Sequence, residues 1–210
     1  MNPSIFYGII RENLFRGKLA QGVVDTLGSI VDTYYAHYMP TADPEHLAYI
    51  LATAYHESYH RKLNPDWRPV REGFAKSNEA AIAAVTRMYE QGRINHNYAL
   101  PHTNGRSYYG RGHVQCTWPE NYRKMGRVLN MPLYENPDLM LDPIVSAKAL
   151  VIGSVEGVYT RRKLSDYDTP DAMLDAFNAR RVINGLDKAE KIKGDYEIFH
   201  FGIVSAINAA

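Results

Sequence analysis

The sequence predicts a mainly α single domain with no more strand than one small β-ribbon. Three observations predict it. Apolar residues recur at helical spacing in one segment after another. Asp43-Pro44, Asp142-Pro143 and Thr169-Pro170 each combine a capping side chain with a proline whose φ is preset for a first helical turn. Strand signals are scarce and confined to a short stretch around 93–116. A length of 210 residues suits one domain with its own core.

In chain order, residues 4–15 carry Ile5, Phe6, Ile9, Ile10 and Leu14 at helical spacing. Residues 19–38 repeat the period with Leu19, Val23, Leu27, Ile30, Val31 and Tyr34, and Met39-Pro40 ends it. Asp43-Pro44-Glu45 opens a third helix, with Glu45 near the positive end of its dipole. Leu47, Ile50, Leu51, Ala54 and Tyr55 form one apolar face, and Glu57 lies at its edge near the helix end. A carboxyl half in apolar surroundings is expected to have a raised pKa. Residues 61–77 read as loop, 78–91 as a helix closed by Gly92, and 92–107 as polar and irregular. Thr117-Trp-Pro-Glu120 matches a capping box for a helix to about Leu129. The later proline starts give helices near 143–159 and 170–183, the second ended by Asn184-Gly185, and a last helix is expected near 187–200.

Composition narrows the function. A formal net charge of +1 offers no global basic excess for nucleic acid or an anionic membrane. One cysteine, Cys116, excludes an intrachain disulfide and fits a reducing cytosol. The first residues lack a basic segment and a long apolar run, so neither a signal peptide nor a transmembrane helix is expected. A substrate outside the cytosol then requires a separate release factor. Sixteen tyrosines supply aromatic walls of the kind sugar clefts use, and ordinary core material as well.

Two glutamates, Glu57 and Glu72, flank a loop rich in Pro, Trp and Arg. Hydrolysis of a glycosidic bond needs an acid for the leaving oxygen and a carboxylate to activate water or steady the oxocarbenium ion. By spacing alone the pair fits solvated surface as well. In Ser107–Trp118, Gly110 and Gly112 bracket Arg111, which predicts a tight turn or close approach with the arginine tying loops together. Gln115 and Thr117, two apart, point the same way in an extended segment and offer an amide and a hydroxyl to a sugar or a water. Thr117 alternatively only caps the next helix.

A rival pattern is His56-Glu57-Ser58-Tyr59-His60. Histidines four apart on a helix can hold zinc, with the glutamate as base and Glu79 as a third ligand. It needs the helix to run through His60, and Arg61-Lys62-Leu63-Asn64-Pro65 argues that the helix is ending. His96 and His102 match no common ligand spacing. The basic group of Arg161, Arg162, Lys163, Arg180, Arg181, Lys188, Lys191 and Lys193 reads as a solvated face, or as a hold on anionic peptidoglycan or a membrane leaflet.

Ala54-Tyr-His-Glu57, Tyr108-Tyr-Gly-Arg-Gly-His-Val-Gln-Cys-Thr-Trp118, Asn121-Tyr122, Asn136-Pro-Asp-Leu139 and Val182-Ile-Asn-Gly185 occur in that order. Together they resemble the glycoside hydrolase family 19 chitinases, and more closely the phage and prophage endolysins of that family, over roughly residues 45–200. The resemblance implies a lysozyme-like α+β fold as one catalytic domain, residues 1–210, with N-terminal helices 1–42 packing on a core 43–205. It implies an inverting mechanism with Glu57 as general acid, Glu72 as general base (Glu79 as the alternative) and Thr117 fixing the attacking water. His56, Tyr109, Gln115, Trp118, Tyr122 and Asn184 are then expected to line the sugar cleft, with no metal and no cofactor. An inverting pair of carboxyls stands about 6.5–9.5 Å apart. The sequence departs from the family pattern at Ser58-Tyr59-His60-Arg61, His113, Cys116 and Gly185-Leu186. The substrate expected is a β-1,4-linked N-acetylhexosamine polymer, peptidoglycan before chitin, cut by a monomer made in the host cytoplasm and released to the cell wall through a holin. A sugar-binding protein without activity is the remaining alternative.

Overall fold

The computed structural model describes residues 1–171 and 173–210. Among them are seven α-helices: α1 (Pro3–Asn13), α2 (Gln21–Tyr38), α3 (Pro44–Ser58), α4 (Asn78–Glu90), α5 (Pro119–Leu129), α6 (Pro143–Val155) and α7 (Ala189–Asn208). The central element is α3. Every residue from Glu45 to Ala54 is buried, so the helix is wrapped on all sides rather than along the one face its apolar spacing predicts. α7 lies along it, α1 packs on α7, and α2 packs on α6.

Burying the first turn of α3 also buries Glu45 and His46, and both are paired. Glu45 Oε1 lies 2.7 Å from His200 Nε2, and its other oxygen accepts from Tyr196 Oη and from Leu174 N. His46 Nε2 meets Asp168 Oδ1 at 2.8 Å. These contacts tie α3 to α7 and to the chain around 168–174, and they satisfy groups that are costly to bury alone.

Two expected elements are absent among the described residues. In place of a helix over 170–183, Asp168 and Leu174 form an isolated bridge and Asn178–Val182 makes a short 3₁₀ segment; Ala172 lies outside the described residues. Asp175 accepts from Asn178 N at 3.1 Å and from its side-chain amide at 2.7 Å, local bonds that compete with a helix. The ribbon expected around 93–116 is reduced to bridges of Arg111 with Arg71 and with Cys116. Left-handed backbone at Gly112 (φ 81°), Gln115 (φ 50°) and Trp118 (φ 76°) turns this chain too sharply for a continuing ladder. The capping box at Thr117 does not form either: Trp118 is the N-cap of α5, without a side-chain bond, and Thr117 Oγ1 donates to Gln115 O.

Gly112 is required by space as well as by its dihedral. A Cβ there would sit 2.8 Å from Ser146 Oγ and 2.9 Å from Met140 O, and Ser146 Oγ already accepts from His113 N. Gly112→Ala is expected to lower unfolding free energy by about 1–3 kcal/mol, the cost of an alanine held at positive φ with a clash. Urea unfolding followed by circular dichroism measures it.

Candidate active site

Glu57 sits one residue before the end of α3, and a knot of buried side chains fixes that end. Trp67 is fully buried and donates from Nε1 to Ser58 Oγ at 2.9 Å. Ser58 Oγ also lies 3.0 Å from His113 Nδ1. Burial pushes the His113 pKa down to about 3, which keeps the ring neutral. Ser58 and His113, two of the departures from the family pattern, are thus partners of one another. Their pairing locks the helix bearing Glu57 to the loop bearing Gly112.

Glu72 is placed by the same loop from the other side. Its N donates to Gly110 O at 2.7 Å, and Gly112 N donates to Val70 O at 2.9 Å. Arg111, 2% exposed, anchors the pairing: it donates to Asp138 Oδ1 at 2.7 Å and to Ser107 O at 2.9 Å, with its guanidinium 3.7 Å from the centre of the Tyr109 ring. The Glu72 carboxylate accepts from Gly110 N at 2.9 Å and from Tyr98 Oη. Gly110 has no room for a side chain, since a Cβ would lie 2.8 Å from Gln115 Oε1 and 3.3 Å from Glu72 Oε2.

The two carboxyls line one cleft of about 360 Å³, together with Gln115, Thr117, Trp118 and Asn184. Gln115 donates to Val70 O and Gly112 O, which fixes its amide. Trp118, 45% exposed, leans on Tyr98 with ring centres 5.3 Å apart. Six of the residues expected at the site therefore converge, although the segment carrying Gln115 and Thr117 is turned rather than extended.

The other expected residues lie elsewhere. Tyr109 is fully buried and donates to Asn78 Oδ1. Tyr122 is fully buried and donates to Tyr109 O at 3.0 Å, so both tyrosines serve the core and the arginine anchor rather than the cleft wall. His56 points to a neighbouring cavity on another side of α3. Burial, aided by Lys191 and Arg180, lowers its pKa to about 4 and leaves it neutral. Glu79 stands exposed in the first turn of α4, outside the cleft, which leaves Glu72 as the second carboxylate there.

The sequence reading missed Tyr98, Asn121 and Arg180. Arg180 belongs to the basic group read as a solvated face, yet its side chain is 4% exposed and its Nη1 lies 2.7 Å from Glu57 Oε1. The contact is a close charge pair rather than an aligned hydrogen bond, for Nη1 finds no acceptor in line. Burial raises the Glu57 pKa, Arg180 opposes the rise, and Asp187 and Glu72 add to it. A largely buried acid beside a second carboxylate in an open cleft is the arrangement that general-acid chemistry requires.

The zinc pattern is not assembled. α3 ends at Ser58, Tyr59 is extended, and His60 Nδ1 accepts from Lys62 N and Leu63 N. Among the described residues, one set of three potential metal ligands comes within mutual reach, Asp43, His46 and Asp168, and it contains neither His56 nor His60.

The known proteins that this chain is similar to are chitinases and chitinase-like proteins. The chain is 44% identical over 52 residues to endochitinase CH25 of Brassica napus, a match covering 24% of this chain and 16% of that one. It is 43% identical over 54 residues to inactive chitinase-like protein 1 of Hevea brasiliensis, covering 25% and 17%. Such matches span about a sixth of the relatives' length. The fold is similar to that of a bacterial family 19 chitinase (TM-score 0.53, 21% identity, 95% of this chain and 93% of that one). It is also similar to chitinase C from Streptomyces griseus (TM-score 0.55, 20% identity, 95% and 75%). Residues 45–154, more than half of the sequence, match the glycoside hydrolase 19 family, described as chitinase class I, and the chain belongs to that family.

Proposed function

We propose that this chain is an inverting glycosidase that cuts β-1,4 bonds between N-acetylhexosamines, with peptidoglycan strands as its substrate and wall breakdown for host lysis as its role. The observation that carries the reading is the pairing of Glu57 and Glu72 in one cleft with opposite surroundings. Glu57 is largely buried with a raised pKa, which keeps a proton available for the leaving oxygen. Glu72 accepts on both oxygens, from Gly110 N and Tyr98 Oη, and faces the same space.

In this reading Glu57 protonates the glycosidic oxygen as the C–O bond breaks. Water held by Glu72 and the Thr117 hydroxyl adds to the anomeric carbon from the opposite face, and Glu72 takes its proton, so a β bond gives an α product. Gln115 offers its amide oxygen and Asn184 its amide to sugar hydroxyl and acetamido groups, and the exposed Trp118 ring offers a stacking face. The enzyme acts as a monomer, is made in the host cytoplasm, and reaches the wall through a holin.

Chitin is the second reading, favoured by the names of the matching endochitinases. The test is clearing of outer-membrane-permeabilised Gram-negative cells, and release of reducing ends from purified peptidoglycan and from chitin oligomers, by wild type and Glu57→Gln with and without EDTA. Clearing by wild type alone, unaffected by EDTA, is expected. Cleavage of chitin alone would transfer the assignment to the second reading. Binding of either polymer without cleavage would leave a sugar-binding protein, and activity abolished by EDTA would remove the metal-free mechanism.

A further inference from the structure

Around the end of α3 from Glu57 lies a second cavity of about 250 Å³. Three cationic side chains line it, Arg16, Arg61 and Lys191, together with His60 and the rings of Tyr55 and Tyr59. No carboxylate lines it, and among the described residues none comes within ion-pair distance of Arg16, Arg61 or Lys191. Three cations gathered in one cavity repel one another, with the Asp195 carboxyl bearing on Lys191 from outside the lining, and an anionic ligand would relieve that cost.

The cavity is built rather than incidental. Tyr55 and Tyr59 stack with ring centres 5.0 Å apart at 17°, and Phe15 stands edge-on to both. Tyr55 Oη donates to Leu14 O at 2.9 Å, which holds the α1–α2 loop against α3. Arg16 takes left-handed backbone (φ 54°) within that loop. His60 Nδ1 accepts two backbone N–H groups, which leaves Nε2 as the ring's donor. Asp195, one turn along α7 from Lys191, does not line the cavity, and burial lifts its pKa to about 6. His60, left over from the unassembled zinc pattern, thereby acquires a use.

Position ties the cavity to the cleft. His56 lines the one and Glu57 the other, and the charges of Arg180 and Asp187 bear on both residues. A chitin strand is uncharged and has nothing to offer three cations beside the acid. A peptidoglycan strand carries a peptide stem with free carboxylates on alternate sugars.

We propose that this cavity is an accessory subsite that binds a stem-peptide carboxylate of the glycan strand held in the cleft. The proposal rests on the glycosidase reading of that cleft and names its substrate class. Arg16 and Arg61 supply charge-assisted hydrogen bonds, Lys191 a third charge, and Tyr55 and Tyr59 an apolar wall for the stem. Arg16 and Lys191 lie outside the family match at 45–154, and Tyr55, Tyr59, His60 and Arg61 lie inside it.

The test compares wild type with the double variant Arg16→Ala/Arg61→Ala on native peptidoglycan, on peptidoglycan whose carboxyls have been converted to amides, and on chitin hexamer. The double variant is expected to lose about tenfold in kcat/KM on native peptidoglycan, mainly through KM, as two charge-assisted bonds are removed. Its rates on the two substrates that lack carboxylates should match wild type, and added salt should narrow the difference on the native polymer. Arg16→Lys/Arg61→Lys should recover part of the loss. Equal losses on all substrates would show a structural role and overturn the proposal, as would no loss on native peptidoglycan.

A titration independent of cleavage separates this proposal from the reading it rests on. Amide shifts at Tyr59, His60 and Arg61 would be followed with free stem tetrapeptide, with its amidated form and with inorganic phosphate. Shifts with the tetrapeptide alone support the subsite even if peptidoglycan is not cut. Equal shifts with phosphate would reassign the cavity to anions in general, and no shift would sink it.

Discussion

Glu57→Gln is expected to lower kcat on the glycan substrate by about 10²–10⁴-fold, the range for loss of a positioned general acid, with little change in KM. Glutamine keeps the shape of the side chain and one acceptor for Arg180, but has no proton to give. The same variant reports the electrostatics of the site. Burial raises the Glu57 pKa in the folded protein above its unfolded value of about 4.3. Below the unfolded value the group costs nothing. As pH climbs from there through the folded value, the unfolded chain ionises first, and wild type loses stability that the glutamine variant keeps. Thermal unfolding of both proteins at pH 4 and pH 8 should show wild type losing ground to the variant at the higher pH. A gap independent of pH would mean that Glu57 is not held protonated by its surroundings, and the acid role would fall with it.

What could be read in advance follows from what each signal depends on. α1 to α4 and α6 appear where apolar spacing and proline starts place them, because those signals are local. Thr169-Pro170-Asp171 carries the same start signal and yields no helix, for Asp175 and Asn178 bond locally and Leu174 is held by Glu45, a contact from the far end of the sequence. Glu57, Gln115, Thr117, Trp118 and Asn184 were legible as residues of one cleft because they lie inside motifs whose order is specific. Tyr109 and Tyr122 lie in the same motifs and face the core. A tyrosine that walls a cleft and one that packs on Arg111 look alike in a sequence, since the difference is burial set by other segments. Tyr98 carried no signal, being one aromatic in a polar loop. Arg180 was hidden by company: it sits among exposed basic residues and is itself buried by the chain that brings Glu57 to it.

That hidden arginine supports the second large expectation. Arg180→Gln should destabilise the protein by up to about 3–5 kcal/mol where Glu57 is ionised, the usual cost of removing one partner from a buried charge pair. Glu57 has an escape that fixed charges lack: with Arg180 gone its pKa rises further, and the carboxyl takes up a proton rather than remain charged and alone. The loss should therefore shrink as pH falls toward 4 and reach its full size only above the raised pKa. Activity should show the same linkage from the other side. If Glu57 is the acid, the alkaline limb of kcat against pH reports its ionisation, so the limb should move to higher pH in Arg180→Gln even as the maximum drops. The drop has a geometric source as well, because Arg180 Nε donates to Asp187 O at 3.2 Å and so steadies the loop that carries Asn184 into the cleft. A purely structural arginine would lower the maximum and leave the limb in place. A limb that moves upward, together with a stability deficit that grows with pH, requires Arg180 to act on the proton of Glu57.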